Sequence, residues 1–120
     1  MAVSAAGASG HTCFFEQYPW DAPLPDDAVI MLTLRSGHEF QPKYIGYRSH
    51  GRPQEGGEGF AAQKAQARRL GADCLLVHQP RVRFWGMERH MQALVEDLVA
   101  AYRPPCNTGE VPAGRLNLQA

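Results

Sequence analysis

Apolar residues run almost unbroken from Ala28 to Leu34, the pattern of a buried strand. Ser36-Gly37 then supplies turn chemistry. Lys43 to Arg48, centred on Tyr44-Ile45-Gly46-Tyr47, reads as a second short strand, and two strands this close predict an antiparallel hairpin. Gly51, Pro53, Gly56, Gly57 and Gly59 mark residues 49–59 as a loop. Phe60–Leu70 is rich in alanine and predicts a helix, closed by Gly71. Cys74–His78 is an apolar third strand, stopped by Pro80. Arg81-Val82-Arg83-Phe84 alternates basic and apolar residues and suits an edge strand with a basic outer face. Met87, Met91, Leu94, Val95, Leu98 and Tyr102 recur at helical spacing, up to the pair Pro104-Pro105.

The first 27 residues predict no regular structure. Ala, Gly and Ser dominate the start, and Pro19, Pro23 and Pro25 follow; Trp20 and Phe14-Phe15 are the side chains able to pin such an arm to the body. The expected organisation is a flexible arm over 1–23, one domain over 24–108 and a tail over 109–120. Its order of strand, strand, helix, strand, helix predicts the α/β (α+β) class, with a small antiparallel three-stranded sheet flanked by helices.

Composition narrows the function. With 120 residues the chain has room for one core, and 44% apolar residues make that core feasible. The formal net charge of zero excludes a histone-like polycation and an acidic tail. The charge is unevenly spread. Residues 1–42 hold Arg35 against Glu16, Asp21, Asp26, Asp27 and Glu39. Residues 43–69 hold Lys43, Arg48, Arg52, Lys64, Arg68 and Arg69 against Glu55 and Glu58. Most cations are arginine, whose planar fork grips phosphate through two hydrogen bonds; GC-rich coding also enriches arginine. No apolar run approaches the ~18 residues of a membrane span. Met1–Gly10 lacks the features of a leader peptide, and Cys13, Cys74 and Cys106 cannot all pair within one chain. A cytoplasmic protein with free thiols is the expectation.

Two chemistries find little support in spacing. Cys74 and His78 lie four apart on a strand, roughly 13 Å, too far to share a zinc ion. Gly56-Gly57-Glu58-Gly59 precedes a helix, but it neither follows a strand directly nor ends in Gly-Lys-Ser/Thr, so a flexible loop fits better than a phosphate cradle.

Leu24-Pro25, then Val29-Ile30-Met31-Leu32, then Tyr44-Ile45-Gly46 resemble the start of the GIY-YIG nuclease fold. Leu98-Val99, followed by Tyr102-Arg103-Pro104-Pro105-Cys106-Asn107, is similar to the end of that family's last helix, most of all in the N-terminal incision domains of bacterial excision-repair nucleases. The resemblance implies a DNA endonuclease that hydrolyses phosphodiester bonds with one divalent ion, Mg2+ or Mn2+. It implies a tyrosine in each of the first two motifs, an arginine that steadies the phosphate, and a metal-binding glutamate on the last helix.

Transferred to this chain, Tyr44 matches the second tyrosine and Gly46 its glycine. Ile30 or Met31 stands where the first tyrosine belongs. Arg48 or Arg52 takes the place of the arginine, and His50 beside them is a substitute base, since imidazole titrates near neutrality. Val95 occupies the glutamate position, with Glu96 one residue later and about 100° around the helix. The expected catalytic set is therefore Tyr44, Arg48, Arg52, His50 and Glu96, with Glu96 as metal ligand. Lys43, Arg68, Arg69, Arg81, Arg83 and Asn107 are the expected DNA contacts. Each has a plainer role open to it: Tyr44 as a sheet aromatic, the arginines as loop charges, Glu96 as a solvated helix carboxylate, Asn107 as a helix cap. A catalytically degenerate domain that binds nucleic acid or protein, and an unrelated small interaction domain, are the alternatives.

Overall fold

The alternating buried and exposed positions of Ala2–Ala6 and Thr12–Pro19 show that the chain forms sheet from its second residue. A computed structural model describes residues 2–49, 60–80, 85–108 and 118–119. It contains strands β1 (Ala2–Ala6), β2 (Thr12–Pro19), β3 (Ala28–Ser36) and β4 (Glu39–Arg48), helix α1 (Phe60–Arg69), strand β5 (Cys74–His78), helices α2 (Met87–Tyr102) and α3 (Pro105–Thr108), and strand β6 (Leu118–Gln119). The class is α+β. The expected three strands are present as β3, β4 and β5, but they form the middle of a six-stranded sheet ordered β1-β2-β5-β3-β4-β6. Every pairing is antiparallel.

The expected flexible arm is thus corrected to a β1–β2 hairpin, with β2 paired along β5. Val3, Ala5, Cys13 and Phe15 are buried, so the hairpin adds core rather than tail. Its outer edge is closed in part by α2: the Ala6 amide donates to the Tyr102 hydroxyl at 3.2 Å. The turn is also held to α2, because the Ser9 amide and hydroxyl each donate to the Asp97 carboxylate at 2.8 Å. The predicted strand at 81–84 lies outside the described residues.

The sheet has two apolar faces. One packs α2, through Met87, Met91, Leu94, Val95 and Leu98, onto Val3, Phe15, Val29, Met31, Ile45 and Tyr47. The other packs α1, through Phe60 and Ala67, onto Ile30, Leu32, Tyr44, Leu75 and Val77. The single-residue alternation of β3 and β4 delivers side chains to both. A β-bulge adjusts the parity: Leu32 pairs with Tyr44 and Thr33 with Pro42, leaving Lys43 as the extra residue. Phe40 and Ile45, five apart, therefore reach the same core. Pro42 sits at the bulge, where a missing ladder donor costs little.

The link from β2 to β3 has an unusual path. Both strands run antiparallel to β5, so they are parallel to each other, and β5 lies between them. Pro19 is opposite Cys74 at one end of β5 and Val29 is opposite His78 at the other. Residues 20–27 must run back along the length of β5, a shorter crossover than the dozen or more residues usual for such a connection. They do so as a strap on the α1 face, where Trp20, Ala22 and Leu24 pack against the core.

The helix ends follow local chemistry. Gly71 after α1 has φ 97°, and Arg103 ends α2 in the left-handed region at φ 47°, its amide bonded to the Val99 carbonyl at 2.7 Å. Among the described residues no helix is long and apolar enough to cross a membrane.

The thiols are structural. Burial, reinforced by Asp73, raises the Cys74 pKa from 9.0 to about 11. The folded state then holds a proton that the unfolded chain releases, so stability is complete below pH 9.0 and falls as pH rises toward about 11. The expected slope is ~1.4 kcal/mol per pH unit. Urea unfolding between these pH values checks it: Cys74→Ala should reduce the slope, and an unchanged slope in that variant would assign the alkaline loss to other groups.

Candidate nucleic-acid interface

Strand alternation decides where the predicted site residues go. Tyr44 projects on the α1 face, where Arg48 reaches the Leu24 segment, while Ile45 and Tyr47 project toward α2. Tyr44 is only 8% exposed. Its ring meets Phe60 edge-on at 5.6 Å. It also lies across Gly46, where an added Cβ would sit 2.7 Å from the ring. The tyrosine-x-glycine spacing therefore has a packing cause: the ring beds down on the bare backbone two residues along the same face. Burial, then the nearby Cys106, raises the phenol pKa of Tyr44, so even less phenolate is available near neutral pH than for an ordinary tyrosine.

Asn107 joins the two signatures. The Ile45 amide donates to its Oδ1 at 2.7 Å, and its Nδ2 donates to the Ile45 carbonyl at 2.8 Å. The side chain pairs with β4 much as another strand would, at a position that β6 does not reach, since β6 pairs only with Glu39 and Phe40. The resemblance had suggested Asn107 as a DNA contact; its amide is spent on this clasp instead.

The cations on the α1 face are largely committed to the strap. Arg48 donates to the Leu24 carbonyl at 2.5 Å and lies 3.5 Å from the Asp26 carboxylate. Lys64 donates to the Trp20 carbonyl at 2.8 Å, with its ammonium 4.9 Å from the centre of that ring. Arg68 lies 5.4 Å from the same ring and donates to the Ala72 carbonyl at 3.2 Å. Lys43, aimed by the bulge, donates to Gln41 at 3.3 Å and offsets part of the upward shift that burial imposes on the Cys106 thiol. Arg69 is exposed in the last turn of α1. Lys64 is in the expected basic stretch but not among the expected DNA contacts, and the docking of the acidic segment on that stretch was not expected; Trp20, named as able to pin the arm, was the available signal.

Glu96 does not join Tyr44. It is exposed on α2, which packs against the opposite face of the sheet, while Val95 at the expected ligand position is 4% exposed in the core. Ile30 stands beside Gly46 where the first tyrosine was sought. Among the described residues no three His, Cys, Asp or Glu side chains are placed to hold a metal ion. Glu96, the expected ligand, is therefore not one of a group of ligands placed for a divalent ion among the described residues. His50, Arg52, Arg81 and Arg83 lie outside the described residues.

A groove of about 380 Å³ opens between the β1–β2 turn and α2, lined by Ser9, His11, His90, Ala93, Leu94 and Asp97. Among the described residues, its His and Asp side chains are not part of a group placed to hold a metal ion.

No family model matches the chain, and neither do any curated protein or solved structure.

Proposed function

We propose that this chain is a GIY-YIG-like domain that binds the phosphate backbone of nucleic acid without cutting it. The absence of cutting rests on Tyr44 facing α1 while α2, which carries Glu96, packs on the opposite face of the sheet, a separation that also weighs against the nuclease likeness. The likeness in sequence is supported by the Asn107–Ile45 clasp, which brings the two signatures together in space. Binding is favoured by the cations of one face, Lys43, Arg48, Lys64, Arg68 and Arg69, all within the basic stretch of the chain. Arginine and lysine on a common face form an electrostatic footprint for phosphates, and such contacts weaken as salt rises.

Supercoiled plasmid incubated with Mg2+ or Mn2+ should stay intact, while a short duplex is retarded at low ionic strength and released by added salt. Nicking that disappears in Glu96→Ala would instead establish the metal-dependent endonuclease. Folded protein that neither cuts nor binds at low salt would point to a protein-interaction domain.

A further inference from the structure

We infer that the strap over residues 20–27 is an autoinhibitory element that occupies the cations of the α1 face and limits their access to a polyanion. The inference rests on the proposed function, since it assigns a regulation to that same face. The strap carries Asp21, Asp26 and Asp27 in eight residues, an acidic segment laid along a basic one. Three cations from two different elements hold it. Arg48 of β4 takes the Leu24 carbonyl and the Asp26 carboxylate. Lys64 and Arg68, one turn apart on α1, both stack on Trp20, and Lys64 also takes its carbonyl.

A guanidinium engaged by a carboxylate and a carbonyl has fewer donors left to fork onto a phosphate. Two cations over one indole are likewise aimed at the ring rather than outward. The strap also has the means to let go. Its polar anchor at Asp26 has a side chain 56% exposed, so that ion pair is screened by water and salt. Asp27, its last residue, is held at φ 54°, in a region that non-glycine residues seldom occupy. Apolar anchorage by Trp20, Ala22 and Leu24 is partial rather than complete, each being half-buried.

The test measures duplex affinity across a salt series for the full chain, Asp26→Asn and Trp20→Ala. Glu88→Gln, on the exposed first turn of α2, is the control for the same change in net charge. Freeing one cation for one phosphate should steepen the slope of log affinity against log salt by about one. Asp26→Asn should therefore bind about tenfold tighter than the wild type at low salt, with a slope steeper than that of Glu88→Gln. Asp26 is exposed, so this variant tests the idea even if Trp20→Ala loses its fold. Wild-type protein that binds, with Asp26→Asn no tighter or steeper than Glu88→Gln, overturns the strap and leaves the binding function standing. Folded wild type and variants that all fail to bind at low salt overturn the binding function, and the inference with it.

Discussion

Asn107→Ala should cost about 3 kcal/mol of stability, because it strips the Ile45 amide and carbonyl of their partner in one step. Leaving a buried donor or acceptor unsatisfied costs ~1–3 kcal/mol for each group. Ile45 itself is 0% exposed, so water is poorly placed to replace the lost side chain. Asn107→Asp separates the two bonds. A carboxylate still accepts from the Ile45 amide but cannot donate to the Ile45 carbonyl, and it sets two acceptors face to face. It should destabilise about as much as alanine. Urea unfolding monitored by circular dichroism measures both, with an unchanged denaturant slope confirming that stability alone has moved. A loss below ~0.5 kcal/mol in Asn107→Ala would show that the clasp is ornamental, and the two signatures would then be neighbours without being joined.

Helix α2 was legible because Met87, Met91, Leu94, Val95 and Leu98 repeat with a period that only a helix turns into one stripe. The β3–β4 hairpin was legible from its apolar run, and β5 from the five residues between Asp73 and Gln79. The bulge was not, because nothing local marks Lys43 as the residue without a partner; it follows from the demand that Phe40 and Ile45 reach one core. The β1–β2 hairpin was hidden for a different reason. Ala2–Ala6 has little intrinsic strand preference, and the 67% exposed Phe14 masks the alternation of Cys13 and Phe15. Pairing of β2 with β5, and of β1 with β2, makes those segments strands, and pairing with a segment as distant as β5 is not written in a local window.

The site was legible in composition and illegible in direction. A basic stretch from Lys43 to Arg69 was plain, and so was the neighbouring acidic one. That the two fold onto each other depends on the crossover path from β2 to β3, which sets Trp20 and Asp26 beside Lys64 and Arg48. Likewise, Tyr44 and Glu96 can both be named from spacing, but which face of the sheet each serves depends on strand parity and on the side where α2 docks.

Tyr44 is the residue where packing and function can be separated most cleanly. Tyr44→Ala should cost about 3–5 kcal/mol, the range for removing a buried aromatic ring from a core. The ring meets Phe60 edge-on and covers Gly46, so its loss empties a space bounded by α1 and β4. Tyr44→Phe keeps that ring and deletes only the hydroxyl. If Tyr44 serves the core, this variant melts close to the wild type and binds a short duplex with the same affinity and the same salt slope. A hydroxyl that reached a phosphate would give the opposite pattern: unchanged melting with weaker binding across all sequences. Because Tyr44 is only 8% exposed beneath α1, the expected result is the first. Melting curves and duplex titrations on the same two preparations decide between them, since one variant perturbs the space and the other only the oxygen.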